Sequence, residues 1–190
     1  MSKLIVQMSM SLDGFIAGPN PAPDNPLGDN GLRLHAWYDQ PGDHDFGKNV
    51  EGDTGAIIMG SVMYYESLPW WHGTGPLGDD VPCFVLTEKG HEPKEAAKVF
   101  TFVTEGIEEA LRRAKAAAGD KDVLINGGAN TIQQYIKAGL VDELYIHVLP
   151  LLLGGGTNLF GALGACIPLE KISVHDEKGV THLAYRFERQ

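Results

Sequence analysis

Cysteine is scarce in this chain: Cys83 and Cys166 are the only two in 190 residues. Two cannot staple a small secreted fold, and they lack metal-type spacing, so a reducing, cytoplasmic setting is expected. Long hydrophobic runs are missing as well. No apolar stretch reaches the ~20 residues a membrane helix needs, and Met1 to Met10 carry neither a basic start nor a small-residue cleavage site. Positive charge is in deficit, with 15 Lys and Arg against 25 Asp and Glu and a formal net charge of −10. Nucleic acid and anionic membrane are therefore not expected as partners, and any phosphate must be held by backbone N–H groups or a few basic side chains. Arginine is absent from Asp39 to Ala110. The histidines (His35, His44, His72, His91, His147, His175 and His182) form no i, i+4 pair and have no Cys partner, which argues against zinc. Gly-x-Ser-x-Gly is also missing, so Ser61 does not read as a hydrolase nucleophile.

What is present is an ordinary soluble composition, 43% hydrophobic and 21% charged, at a length suited to one domain over residues 1–190. The most informative stretch runs from Asp122 to Phe160. Val123 to Ile125 read as a short buried strand, Gly127 and Gly128 follow, and from Asn130 the apolar residues Ile132, Tyr135 and Ile136 fall at helical spacing. A strand that stops at two glycines and turns into a helix leaves bare N–H groups at the helix's positive end, where phosphate or pyrophosphate commonly sits. The plainer alternative is a turn that needs glycine only for its φ angles.

The remaining pattern alternates strands and helices. Lys3 to Met10 is expected as a central strand ended by Asp13-Gly14, followed by a long loop to about Gly31 and a short helix or turn over Leu34 to Tyr38. Ala56 to Met59 is a second strand cut by Gly60, with a helix over Ser61 to Ser67. Cys83 to Thr87 and Val99 to Val103 follow as strands. Ile107 to Ala118 is an amphipathic helix with Thr104 as its cap and Gly119 as its stop. Asp142 to Leu149 is a further strand, and Lys171 to His175 with Val180 to Phe187 form an antiparallel pair around Glu177-Lys178-Gly179. The result is an α/β sheet, parallel in the middle and antiparallel at one edge, with helices on both faces. Gly73 to Gly78 spells G-x-G-x-x-G, but it follows no strand and contains Pro76, so it reads as a loop. His147 reads as an edge or core histidine, and Trp70-Trp71 as a surface packing knot. Asp13 is expected to tie down a turn.

Taken in order, SLDGFIAG (Ser11 to Gly18), IIMGSVMYYES (Ile57 to Ser67), FVLT (Phe84 to Thr87), INGGAN and DELYIHVLPLLLGGGTNLF resemble the dihydrofolate reductase-like superfamily. The nearer branch is the reductase domain of bifunctional riboflavin-biosynthesis proteins and its stand-alone relatives. The resemblance implies a reductase that binds a nicotinamide dinucleotide, NADPH with NADH as the alternative, across the carboxyl ends of central strands. It places Ile16 and Ala17 by the nicotinamide and Gly60, Ser61, Val62 and Met63 on the adenosine phosphate side. Leu86, Thr87, Glu88 and Lys89 fall by the adenine ribose, and Gly127, Gly128, Ala129, Asn130 and Thr131 by the pyrophosphate.

Departures from that pattern bear on selectivity. Ser61 and Glu88 stand where relatives commonly carry basic residues, which weakens the case for a 2′-phosphate. Phe15 replaces the lysine of the usual SLDGK, removing a partner for a sugar phosphate, and the arginine-free stretch disfavours folate. The substrate expected is a small planar nitrogen heterocycle of pterin, pyrimidine or flavin-precursor type, as in 5-amino-6-(5-phosphoribosylamino)uracil reductase. A catalytically silent dinucleotide-binding protein and a true dihydrofolate reductase are the alternatives. Asp45 is the candidate proton donor, against its plain reading as a solvated carboxylate. Trp37 is a candidate lid over the substrate, with core packing as the competing role. The late strands and the apolar stretch Leu149 to Leu153 are the expected surface of a homodimer, with packing of these leucines under the glycine-opened helix as the plainer alternative.

Overall fold

Apolar residues without a break from Leu4 to Val6 demand burial on both faces, and the strand they start, β1 (Leu4–Ser11), lies inside the sheet. A computed structural model describes residues 2–22, 24–38, 50–89, 93, 96–161 and 163–188. After β1 come β2 (Phe15–Ala17), a 3-10 turn (Gly31–His35), β3 (Thr54–Gly60) and α1 (Ser61–Ser67). Next are β4 (Cys83–Leu86), β5 (Phe100–Val103), α2 (Ile107–Ala118), β6 (Asp122–Ile125) and α3 (Ala129–Lys137). The chain closes with β7 (Glu143–Leu149), β8 (Thr157–Asn158), β9 (Leu169–Glu177) and β10 (Val180–Phe187).

Eight strands form one sheet in the order β5-β4-β3-β6-β1-β7-β10-β9. It is parallel from β5 through β7 and antiparallel for the last two. Period-two alternation sorts the central strands onto two cores. Leu4, Val6, Ile58 and Ile125 pack with Ala110, Ala114, Ile132 and Tyr135 of α2 and α3, while Ile5, Ile57, Met59 and Leu124 pack with Tyr64 of α1. Helices thus cover both faces. The Tyr135 hydroxyl donates to the Ile107 carbonyl at 2.7 Å, fastening α3 to the start of α2. No described helix is long and apolar enough to cross a membrane.

Two expectations fail for local reasons. Thr104 does not cap α2; its N–H and hydroxyl turn to Glu105, and Gly106 at φ 96° takes the cap position. The loop after Asp13-Gly14 is not structureless, because Phe15–Ala17 pairs with Thr157–Asn158 as a separate two-stranded ribbon. Strands of three and two residues carry no readable periodicity. The short helix or turn expected over Leu34 to Tyr38 is a 3-10 turn over Gly31–His35, and the other predicted strands and helices recur with ends moved by at most two residues.

Candidate functional site

The carboxyl ends of β1, β3, β4 and β6 open into one cleft of about 1040 Å³. Open α/β sheets leave a crevice at these ends where neighbouring strands send their connections to opposite faces. One wall is the turn after β6. Asn126 N–H donates to the Ile58 carbonyl and Gly60 N–H to the Gly127 carbonyl, both at 3.0 Å, so the turns after β3 and β6 clasp each other. A Cβ on Gly60 would stand 2.5 Å from Thr131 Oγ1, which shows how close the clasp is. Gly127 takes φ +119°, which favours glycine, and the Gly127–Gly128 peptide is cis.

Gly128 then serves as the N-cap of α3, with no side-chain cap and no acidic residue in the first turn. A Cβ on Gly128 would meet no atom within 4 Å, so a side chain there would project into open space beside the helix end. Bare N–H groups, the positive end of the helix dipole and room for close approach suit a pyrophosphate. The residues present fit the dinucleotide that the sequence implies. All the positions expected to touch it line this cleft: Ile16 and Ala17, Gly60 to Met63, Leu86 to Lys89, and Gly127 to Thr131.

Ile16 and Ala17 are brought to the rim by the β2–β8 ribbon. Gly156 is needed there, because at φ +116° its Cβ would run into the Ala17 carbonyl oxygen. Asp13 ties down the same corner. Its carboxylate accepts from Ser11 Oγ at 2.5 Å and from the N–H groups of Gly154 and Leu153 at 2.8 and 3.1 Å. The hydroxyl bond, followed by the backbone donors, holds the carboxyl below its usual range.

The opposite half of the cleft is walled by Gln7, Ser9, His35, Tyr38, Glu51 and His147, among others. The Tyr38 hydroxyl donates to Glu51 at 2.6 Å. His147 is not at an edge. It sits on β7 between β1 and β10, 1% exposed, and the register lines up Ser9, His147, His182 and His175 across four strands. A search for histidine spacing along the chain misses this row, because its members meet only through strand register. Burial first, then the neighbouring His182 and His35, push the His147 imidazole down to about 3. Among the described residues no group of three or more His, Cys, Asp and Glu could hold a metal ion.

The structure moves two expected roles and leaves one outside. Trp37 is 2% exposed, donates its indole N–H to Ser9 Oγ at 2.9 Å and packs on His147 with ring centroids 4.6 Å apart. It stands behind the cleft wall rather than over the opening, so core packing is its place. Leu149, Leu151 and Leu153 pack with Leu34, Trp37 and Val180, leaving Leu152 exposed, so the expected dimer surface is largely used inside the fold. Asp45 lies outside the described residues. Trp71 stacks on Phe100 while Trp70 is exposed, and Gly73 to Gly78 is a loop.

The family model described as the RibD C-terminal domain matches residues 2–178. YwjB, an uncharacterised protein of Bacillus subtilis strain 168, is 29% identical over 167 residues, spanning 85% of this chain and 84% of its own. A Shewanella sp. PV-4 protein whose name places it provisionally in riboflavin biosynthesis superposes with a TM-score of 0.78 at 26% identity, covering 98% of this chain and 99% of that one. Dihydrofolate reductase from Enterococcus faecalis, solved with NADP(H), shares the fold at a TM-score of 0.63 and 18% identity, covering 98% and 97% of the two chains.

Proposed function

The chain belongs to the RibD C-terminal domain family, and from that premise we propose that it is a reductase using a nicotinamide dinucleotide, NADPH with NADH as the alternative. Its substrate is a small planar nitrogen heterocycle of pterin, pyrimidine or flavin-precursor type. The observation that carries this reading is the convergence of four separate segments, Ile16–Ala17, Gly60–Met63, Leu86–Lys89 and Gly127–Thr131, on one cleft at the carboxyl ends of the parallel strands.

Bound there, a dihydronicotinamide supplies hydride. The protein's own contribution is placement and exclusion of water. The N–H groups of Gly127 to Ala129 hold pyrophosphate oxygens, and the missing side chain of Gly128 permits the approach. Leu86 to Lys89, where β4 ends, border the adenine ribose. Ile16, buried at the rim, keeps the nicotinamide side apolar, and Gln7, Ser9 and His147 line the same cleft. Glu51, Glu66 and Glu88 line the cleft together with Lys89, a balance that suits an uncharged heterocycle better than a phosphorylated one.

Oxidation of NADPH and of NADH, followed by loss of dihydronicotinamide absorbance against pterins, pyrimidines and flavin precursors, is the test. Turnover with at least one ring is expected. Tight dinucleotide binding with no turnover of any ring would leave a binding protein in place of an enzyme.

A further inference from the structure

Two arms meet in the half of the cleft opposite the pyrophosphate turn. Tyr38 is 40% exposed, and its ring lies on Trp37 with centroids 4.1 Å apart. Trp37 is tied to Ser9 of β1 through its indole N–H, so the phenol is held from behind. Glu51 arrives from the other side, on the segment that leads into β3. Its neighbour Val50 is buried in the core with Tyr64, and the Val50 carbonyl accepts from Thr54 Oγ1 at 2.8 Å. The Tyr38 hydroxyl and a Glu51 carboxylate oxygen meet at 2.6 Å, and both residues line the cleft. That length lies at the short end of the O–H···O range, as expected when one partner is charged.

Reduction of a C=N bond takes a hydride at carbon and a proton at nitrogen. Among the described residues, the titratable groups of this half are His35, Tyr38, Glu51 and His147, with Glu66, Glu88 and Lys89 on the dinucleotide side. Burial holds the His147 imidazole at about 3, and desolvation holds His35 below its ordinary value, so neither is an imidazolium at neutral pH. A carboxyl group can hold a proton, and a phenol can pass it on, because a hydroxyl has one donor hydrogen and two acceptor lone pairs. Desolvation first, then the bond to Glu51 and its charge, raise the Tyr38 phenol above its usual range. The hydroxyl therefore stays protonated, and the negative charge left by a transfer settles on Glu51.

We propose that Tyr38 delivers the proton of the reduction and that Glu51 supplies it to Tyr38, the two forming a relay from solvent to the substrate nitrogen. The inference rests on the reductase reading and deepens it by naming the acid of that site. As hydride bonds to the ring carbon, the C=N π pair moves onto nitrogen and forms an N–H bond with the Tyr38 hydroxyl hydrogen. The O–H pair released on Tyr38 takes the hydrogen of the Glu51 carboxyl group, and Glu51 is left as a carboxylate. Half-buried at the cleft, Glu51 regains a proton from water. The ring thus gains two electrons and two hydrogens, one as hydride from a dihydronicotinamide oxidised to its pyridinium, the other as a proton from Glu51.

Single-turnover reduction of 7,8-dihydropterin by NADPH, followed in the full chain across pH, reads the relay, since the C=N nitrogen of this probe carries no proton at neutral pH. The rate of the unaltered chain is expected to rise about tenfold per unit of falling pH and then to level off. Tyr38→Phe and Glu51→Gln should each lower the rate about a hundredfold or more while NADPH binding stays unchanged, and Glu51→Gln should flatten the profile. Both substitutions keep the shape of the side chain, so either one decides if the other folds poorly. Infrared spectra of the chain without nucleotide give a readout apart from turnover. One carboxylate band should vanish in Glu51→Gln and shift in Tyr38→Phe. The pH at which that band becomes a carboxyl band should match the bend in the rate profile. Rates in both variants within about threefold of the unaltered chain, an unchanged profile in Glu51→Gln, a Glu51 band indifferent to Tyr38→Phe, or no reduction of 7,8-dihydropterin overturns the proposal. A parallel NADPH titration keeps the two ideas apart. Intact NADPH binding with any of those outcomes removes the relay and spares the reductase, whereas absent NADPH binding removes the reductase reading itself.

Discussion

Gly128 has open space where a side chain would go, at the uncapped head of α3. Gly128→Asp puts a carboxylate at the helix end proposed for the pyrophosphate, and its charge and bulk should abolish dinucleotide binding by titration while circular dichroism is unchanged. Undiminished affinity would show that the phosphates lie elsewhere. Nucleotide selectivity turns on neighbours of the same wall. With Ser61 and Glu88 at the cleft, only a weak preference for NADPH over NADH is expected unless Lys89 reaches the 2′-phosphate. In that case a charge-assisted bond of about 1.5–3 kcal/mol gives NADPH a tenfold to hundredfold advantage, which Lys89→Ala erases. A large preference that persists in Lys89→Ala would mean the phosphate is held by other residues. His147 yields a pH signature. Its folded value of about 3 lies below its ordinary 6.5. Between those values the unfolded chain binds a proton that the folded one refuses, so the stability it contributes is complete above about pH 6.5 and is lost as pH falls toward 3. Urea midpoints should therefore drop on acidification, and His147→Gln should flatten the drop. The glycines of this site were legible because strand–Gly-Gly–helix is a local pattern. The His147–His182 contact was not, because residues 35 apart meet only after register is set.

Among elements, α2 and α3 announce themselves through apolar spacing, and all three helices begin within a residue of where the sequence places them. β2 and β8 do not, since Phe15 finds its partner at Asn158, far along the chain. Their pairing depends on Gly156, whose missing Cβ admits the Ala17 carbonyl. The clasp between β3 and α3 makes a sharper prediction. Gly60→Ala drives a methyl against Thr131 Oγ1 and should cost about 1–3 kcal/mol. Thr131→Ala in the same chain should recover most of that, as a double-mutant cycle by chemical denaturation would show. Additive losses would mean that the two turns are not coupled.

For the whole molecule, the mixed sheet with its antiparallel end was readable because turn signals separate every long strand. Of the surface expected for a dimer, the leucine stretch is used inside the fold, because a run of leucines after Leu149 looks the same in sequence whether it faces a partner or, as here, the Leu34–Trp37 segment. Exposed apolar side chains lie instead on the edge strand β9, where Leu169, Ile172 and Val174 are 37%, 40% and 48% exposed. We propose that the chain forms a homodimer through this strand. Light scattering is expected to give twice 20.6 kDa, and Val174→Lys to return it to the single mass, since a charge on an exposed edge opposes pairing. A single mass for the unaltered chain at micromolar concentration would reject the dimer.

The central place of β1 also governs the order in which this protein can be made. Its neighbours are β6 and β7, which end at Ile125 and Leu149, whereas β1 itself ends at Ser11. During synthesis this central strand must wait for more than a hundred further residues before either flank can be covered. At ~5–20 residues per second that wait is on the order of 5–25 s. An unpaired β1 is thus an aggregation hazard on the ribosome, and holdase chaperones acting during synthesis should raise the yield of folded protein more than those acting after release.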